Sequence, residues 1–155
     1  MTFFHMCHLI HESSKTIGGV RMANEREASY RVVVEVGNEH FHPGLTRVEA
    51  ISDGQVRVTT RLEGEESQTE GKFDPLEIEQ KVADITARPM EQEQDKGRRG
   101  LPDEPRYHLL IYRGSERVFD IEMWRSSLQN NPSIEKLVAA LNGVAHEVSH
   151  GEAIL

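Results

Sequence analysis

Apolar and polar residues alternate from Ser29 onward with a period of two. Tyr30, Val32, Val34 and Val36 fall on one face and Arg31 and Glu35 on the other, which predicts a strand buried on one side. Gly37-Asn38 breaks the run. A second strand is predicted over about 46–51. Ser52-Asp53-Gly54 forms a hairpin turn, with Gly54 supplying positive φ. The return strand, about Gln55 to Leu62, sets Val56, Val58, Thr60 and Leu62 against Arg57, Thr59 and Arg61. One dry face and one wet face suit an antiparallel sheet covered on one side.

The pattern then lapses. "EGEESQTEGK" has no apolar position and reads as a solvated connector. Helix signals follow: Asp74 as N-cap, Pro75 at the first helical position, Glu77 completing a capping box, and Phe73 and Ile78 spaced as a hydrophobic staple. Ile78, Val82 and Ile85 make the buried stripe, and Pro89 ends the helix. The segment "RPMEQEQDKGRRGLPDEP" is aperiodic, a long loop at 88–105. "RYHLLIY", the turn "RGSE" and "RVFDIEMW" give a second hairpin, with Phe119, Ile121 and Met123 on its buried side. In the last helix Asn131 caps, Pro132 opens, and Ile134, Leu137, Val138, Leu141 and Val144 form the stripe, with fraying expected from Gly143.

The order βββαββα predicts an α+β fold: a two-layer domain over residues 22–155, with a mainly antiparallel five-stranded sheet and two helices on one face. Composition narrows the function. The 155 residues carry a formal charge of −8 and no clustered Lys and Arg, which argues against a nucleic-acid partner. Cys7 is the single cysteine, so no internal disulfide can form. No apolar run has the length of a signal-peptide core or a membrane span, and the cytoplasm is the expected compartment.

His5, Cys7, His8 and His11 have the spacing of metal ligands but lie ahead of Met22, in a segment whose Ser13, Ser14, Gly18 and Gly19 give it no core. Gly18-Gly19 can be encoded by a ribosome-binding sequence two codons before Met22. Residues 1–21 are therefore read as a disordered or mis-assigned leader, with the working protein beginning at Met22.

Further along, "NEHFHPG" places Glu39, His40 and His42 at the end of the first strand, two imidazoles of an H-x-H pair on one face. A polar strand end entering a Pro-Gly turn accounts for the same residues. His108 reads as a structural histidine or a general base. His146, Glu147 and His150 fit the bare H-E-x-x-H pattern, in which two histidines share a helix face around a metal and the glutamate acts as base. Only Glu152 to Leu155 follow, too little for a third ligand and a cleft, so this alternative ranks second to a domain without its own catalysis. Neither a nucleophile elbow nor a phosphate loop occurs, and no cofactor is expected. Arg98 and Arg99, a basic pair in the long loop, and Trp124, at the end of a strand, are candidates for a contact surface.

The succession "YRVVVEVG", "FDPLEIEQKVADI", "PDEPRYHLLIY" and "PSIEKLVAAL" resembles emfourin, the small inhibitor of protealysin and related thermolysin-like metalloproteases. The resemblance is one of element order, over residues 30–144. It departs after the first strand, where Asn38, Glu39 and His40 follow Gly37 in place of a double-glycine turn. It implies a non-catalytic domain that blocks a metalloprotease cleft. Glu39, His40 and His42 are the groups here that could reach a catalytic zinc. A structural interaction module, working through a strand edge or Trp124, is the further alternative.

Overall fold

The computed structural model describes residues 29–37, 44–87 and 104–155. These form an α+β architecture around one antiparallel sheet of six strands. The strands are β1 (Tyr30–Gly37), β2 (Leu45–Ile51), β3 (Gln55–Leu62), β4 (Glu65–Lys72), β5 (Arg106–Arg113) and β6 (Glu116–Trp124), in the spatial order β4-β3-β2-β1-β5-β6. The helices are α1 (Pro75–Thr86), the single turn α2 (Arg125–Leu128) and α3 (Pro132–Val148).

The expected five strands become six because the connector "EGEESQTEGK" is itself a strand. It pairs along its whole length with β3, from Leu62↔Glu65 to Gln55↔Lys72. The two-residue link Glu63-Gly64 has positive φ at both positions, 52° and 87°, the backbone that matches the twist of a tight hairpin. An edge strand that is solvated almost throughout has no buried face for periodicity to reveal. Its charges also discourage pairing with another chain.

Both long helices lie on one face of the sheet. Their stripes, Ile78, Val82 and Ile85 from α1 and Ile134, Leu137 and Leu141 from α3, join Val32, Val34, Val48, Val56, Val58, Leu109 and Ile111 in one core. Each such aliphatic side chain contributes about 1.5–3 kcal/mol on full burial. Asp74 caps α1, its carboxylate accepting from the Leu76 amide at 3.0 Å, while Glu77 pairs with Lys81 at 2.9 Å. The Tyr30 hydroxyl donates to the Pro75 carbonyl at 2.9 Å and fixes the start of α1 to β1.

Two details of α3 differ from expectation. Asn131 does not cap it through its side chain; that amide donates to the Ser127 carbonyl at 3.0 Å instead. The helix also continues past Gly143 to Val148, since Ala145 is fully buried on the core side of the added turn.

The opposite face of the sheet is a lattice of charge. Register sets Arg31, Glu49, Arg47, Glu35, His108 and Asp120 on neighbouring strands of this face. Arg31 meets Glu49 at 3.2 Å, and Arg47 bonds to Glu35. His108 Nε2 lies 2.8 Å from Asp120, and its Nδ1 lies 3.8 Å from Glu35. Val33 and Leu110, paired at the centre, are 1% and 9% exposed beneath these side chains. Exposed pairs of this kind contribute about 0.2–1 kcal/mol each, so the lattice keeps the face wet more than it holds the fold together.

Candidate functional site

One end of the sheet gathers most of the features not explained by the core. Here β1 ends at Gly37 and β2 begins after Gly44, both with positive φ, 94° and 97°. A β-carbon on Gly37 would lie 2.1 Å from the Gly44 carbonyl oxygen, and one on Gly44 would lie 2.5 Å from the Arg61 carbonyl oxygen. Side chains are excluded at both positions, by conformation and by space. The β1–β2 connection is therefore anchored on two glycines, with Gly37 in register with Leu45.

Beside this stem, on the helix side of the sheet, runs a groove of about 700 Å³, the size of many ligand clefts. Its floor is a single cross-strand row, Ser67, Thr60, Thr46, Val36 and Tyr107, each residue in register with the next. On β1, β2, β3 and β5 the next two rows are Val, Ala, Leu and Ile, in the core that the helices cover. At this last row every inward position but Val36 carries a hydroxyl, Ser67, Thr60, Thr46 and Tyr107. The chain after α3 forms one wall: the Ser149 hydroxyl accepts from the Ala153 amide at 2.9 Å, and the Asn142 side chain accepts from the Leu155 amide at 2.8 Å. Ile154, 66% exposed, lies on the rim.

The groove is polarised. Pro105, Tyr107 and Arg125 stand at its β5–β6 end, and Glu65 stands at its β4 end. Arg125 is exposed and makes no ion pair among the described residues; its backbone amide donates to the Pro105 carbonyl at 3.2 Å. Burial pushes the Tyr107 phenol above its ordinary pKa, and the Arg125 guanidinium opposes that push. The carboxylates of Glu65 and Glu152 are likewise unpaired among the described residues, whereas Glu66 is held by Arg61 at 2.5 Å.

The residues singled out from sequence fare differently. Glu39, His40, His42, Arg98 and Arg99 lie outside the described residues, as do His5, Cys7, His8 and His11. Trp124 stands at the same end of the sheet as the glycine stem but on its charged face, half-buried, with the Arg106 guanidinium 5.6 Å from its ring centre.

The H-E-x-x-H string does not form a shared helix face. Its last residue has left the helix: His150 has φ 55°, its amide bonds to the Glu147 carbonyl at 3.3 Å, and the Gly151 amide bonds to the His146 carbonyl at 2.8 Å. This pair of bonds is the Schellman ending of a helix, with histidine where glycine is usual. The His146 ring turns toward Gly151, 3.3 Å from where a β-carbon would sit. Among the described residues no three His, Cys, Asp or Glu side chains gather as a metal would need.

Sequence reasoning did not pick out Tyr107, Arg125 or the hydroxyl row as a site. The signal was present in the alternation, where Thr46 and Thr60 take positions that Val holds further along the same strands. It acquires meaning only when the register aligns the two threonines. No helix among the described residues is long and apolar enough to cross a membrane. Compared with protein-family models and with curated proteins, the chain matches none.

Proposed function

We propose that this is a non-catalytic protein-binding domain that works through the sheet end around Gly37 and Gly44. The observation that carries the reading is the stem itself. Two glycines in a conformation closed to other residues, with β-carbon positions 2.1 and 2.5 Å from carbonyl oxygens, fix where the β1–β2 connection leaves the sheet. A connection anchored in this way can present side chains to a partner at low entropic cost. Glu39, His40 and His42 belong to that connection in the sequence, and Trp124 stands at the same end.

The resemblance to emfourin suggests the partner, a thermolysin-like metalloprotease. In that reading a carboxylate or imidazole from Glu39, His40 or His42 approaches the catalytic zinc, and the domain blocks the cleft. Titration of the protein into such a protease, following peptide hydrolysis, tests it. Saturable inhibition near one-to-one that falls at least tenfold on combined replacement of Glu39, His40 and His42 by alanine supports the mechanism. Unchanged inhibition by that variant removes these three residues from it. No inhibition by the folded protein removes the protease.

A further inference from the structure

We infer that the groove under the sheet end takes an extended peptide segment of a partner protein, about six residues long, with a carboxylate at one end, aliphatic side chains between and a cationic side chain at the other. The inference deepens the protein-binding reading and rests on it, but concerns a groove lined by residues outside the β1–β2 connection.

Length comes first. The floor row crosses from β4 to β5, four strand spacings, and at about 4.8 Å each these span roughly 19 Å. An extended chain covers that distance in about six residues. A small metabolite could not reach Arg125 and Glu65 together.

The floor supplies the second argument. Ser67, Thr60, Thr46 and Tyr107 present four hydroxyls in one row, and none makes a hydrogen bond with another described residue. Each can donate and accept, which suits the alternating N–H and C=O groups of a peptide backbone laid across them. Leu62, Ile154 and Leu155 along the sides give aliphatic side chains something to cover.

Charge sets the direction. Arg125 makes no ion pair among the described residues and lines the groove together with Tyr107, its guanidinium a fork of donors suited to a carboxylate. Glu65, at the far end and without an ion pair among the described residues, favours a cation there. On a chain of formal charge −8, an exposed arginine lining a groove offers an acidic group a favourable contact.

The test uses the full chain labelled with ¹⁵N and two blocked hexapeptides, Asp-Ser-Leu-Ser-Leu-Lys and its neutral counterpart with Asn and Gln at the ends. The charged peptide should bind at least fivefold more tightly than the neutral one, with amide shifts centred on Thr46, Thr60, Tyr107 and Arg125. Arg125→Gln should abolish that preference, and Thr60→Val should weaken both peptides severalfold. Should Arg125→Gln fail to fold, Glu65→Gln reads the other end in the same way. No binding to the folded wild-type chain, equal binding of both peptides, or shifts centred elsewhere would overturn the inference, whatever the protease titration gives. Concentration-dependent dimerisation that blocks the groove to peptide would also overturn it, by making a second copy the occupant.

Discussion

The Gly37 α-carbon faces the Gly44 carbonyl so closely that a single methyl group between them would sit 2.1 Å from the oxygen. Gly37→Ala must therefore move the stem or break the Gly37↔Leu45 pairing. We expect it to cost about 2–4 kcal/mol, from overpacking together with forcing a non-glycine residue to positive φ. Gly44→Ala should cost a similar amount, through the Arg61 carbonyl. By contrast Gly114, also at positive φ but with open space around it, should cost only about 1 kcal/mol on the same change. Urea unfolding of the three variants checks this order; equal costs would mean the stem is not constrained.

A second glycine sets where α3 rests. A β-carbon on Gly71 would lie 2.7 Å from both γ-carbons of Val148. The last turn of α3 thus packs on the backbone of the edge strand β4. Gly71→Ala should cost about 1–3 kcal/mol. Combined with Val148→Ala, it should cost less than the sum of the two changes, since the second removes the atoms that the first would strike. Additive costs in the double-mutant cycle would place the two residues out of contact.

These two contacts mark what could and could not be read from the chain. The bounds of β3 follow from its alternation alone, because Val56 and Val58 are buried while Arg57 and Arg61 are exposed. α1 is legible from Asp74, Pro75 and its apolar stripe, because a cap and a buried face are both local signals. β4 is not legible, since a strand whose residues are nearly all exposed differs from a solvated loop only in its hydrogen bonds. Glu63-Gly64 and Gly71 were its traces: a turn pair, and a position where a helix comes too close for a side chain. The groove is harder still. Its floor draws one residue from each of five strands, so it exists only in the register.

Two tyrosines give the protein an alkaline limit. Burial pushes the Tyr30 phenol well above its ordinary pKa, with Glu79 and Asp74 adding to the shift, and burial raises Tyr107 against the opposing Arg125. In both cases the folded state favours the neutral phenol. The stability this gives is complete below the unfolded phenol's pKa of about 10 and is lost as pH rises from there through the folded values. The melting temperature should therefore fall from about pH 10 upward. Tyr30→Phe should lessen that fall while costing about 1 kcal/mol at neutral pH, the bond to the Pro75 carbonyl. Arg125→Gln should move the Tyr107 phenol higher still, read as a later rise in phenolate absorbance. An unmoved titration would separate the two groups and weaken the carboxylate end of the groove.

His150 stands at the αL position that closes α3, with φ 55°, exposed and bonded only through its backbone among the described residues. A non-glycine residue there carries a conformational cost that glycine does not. His150→Gly should accordingly stabilise the protein by about 0.5–1 kcal/mol, seen as a higher urea midpoint with an unchanged slope. The same variant bears on the metal-dependent alternative. If His146 and His150 held a metal, removing one of them would lower stability in the presence of zinc and abolish zinc-dependent protection. If His150 serves as the end of a helix, the gain should be the same with zinc or with a chelator. Loss of stability confined to the zinc-containing sample would restore His146, Glu147 and His150 as a site. A gain under both conditions would leave the H-E-x-x-H string as a helix end.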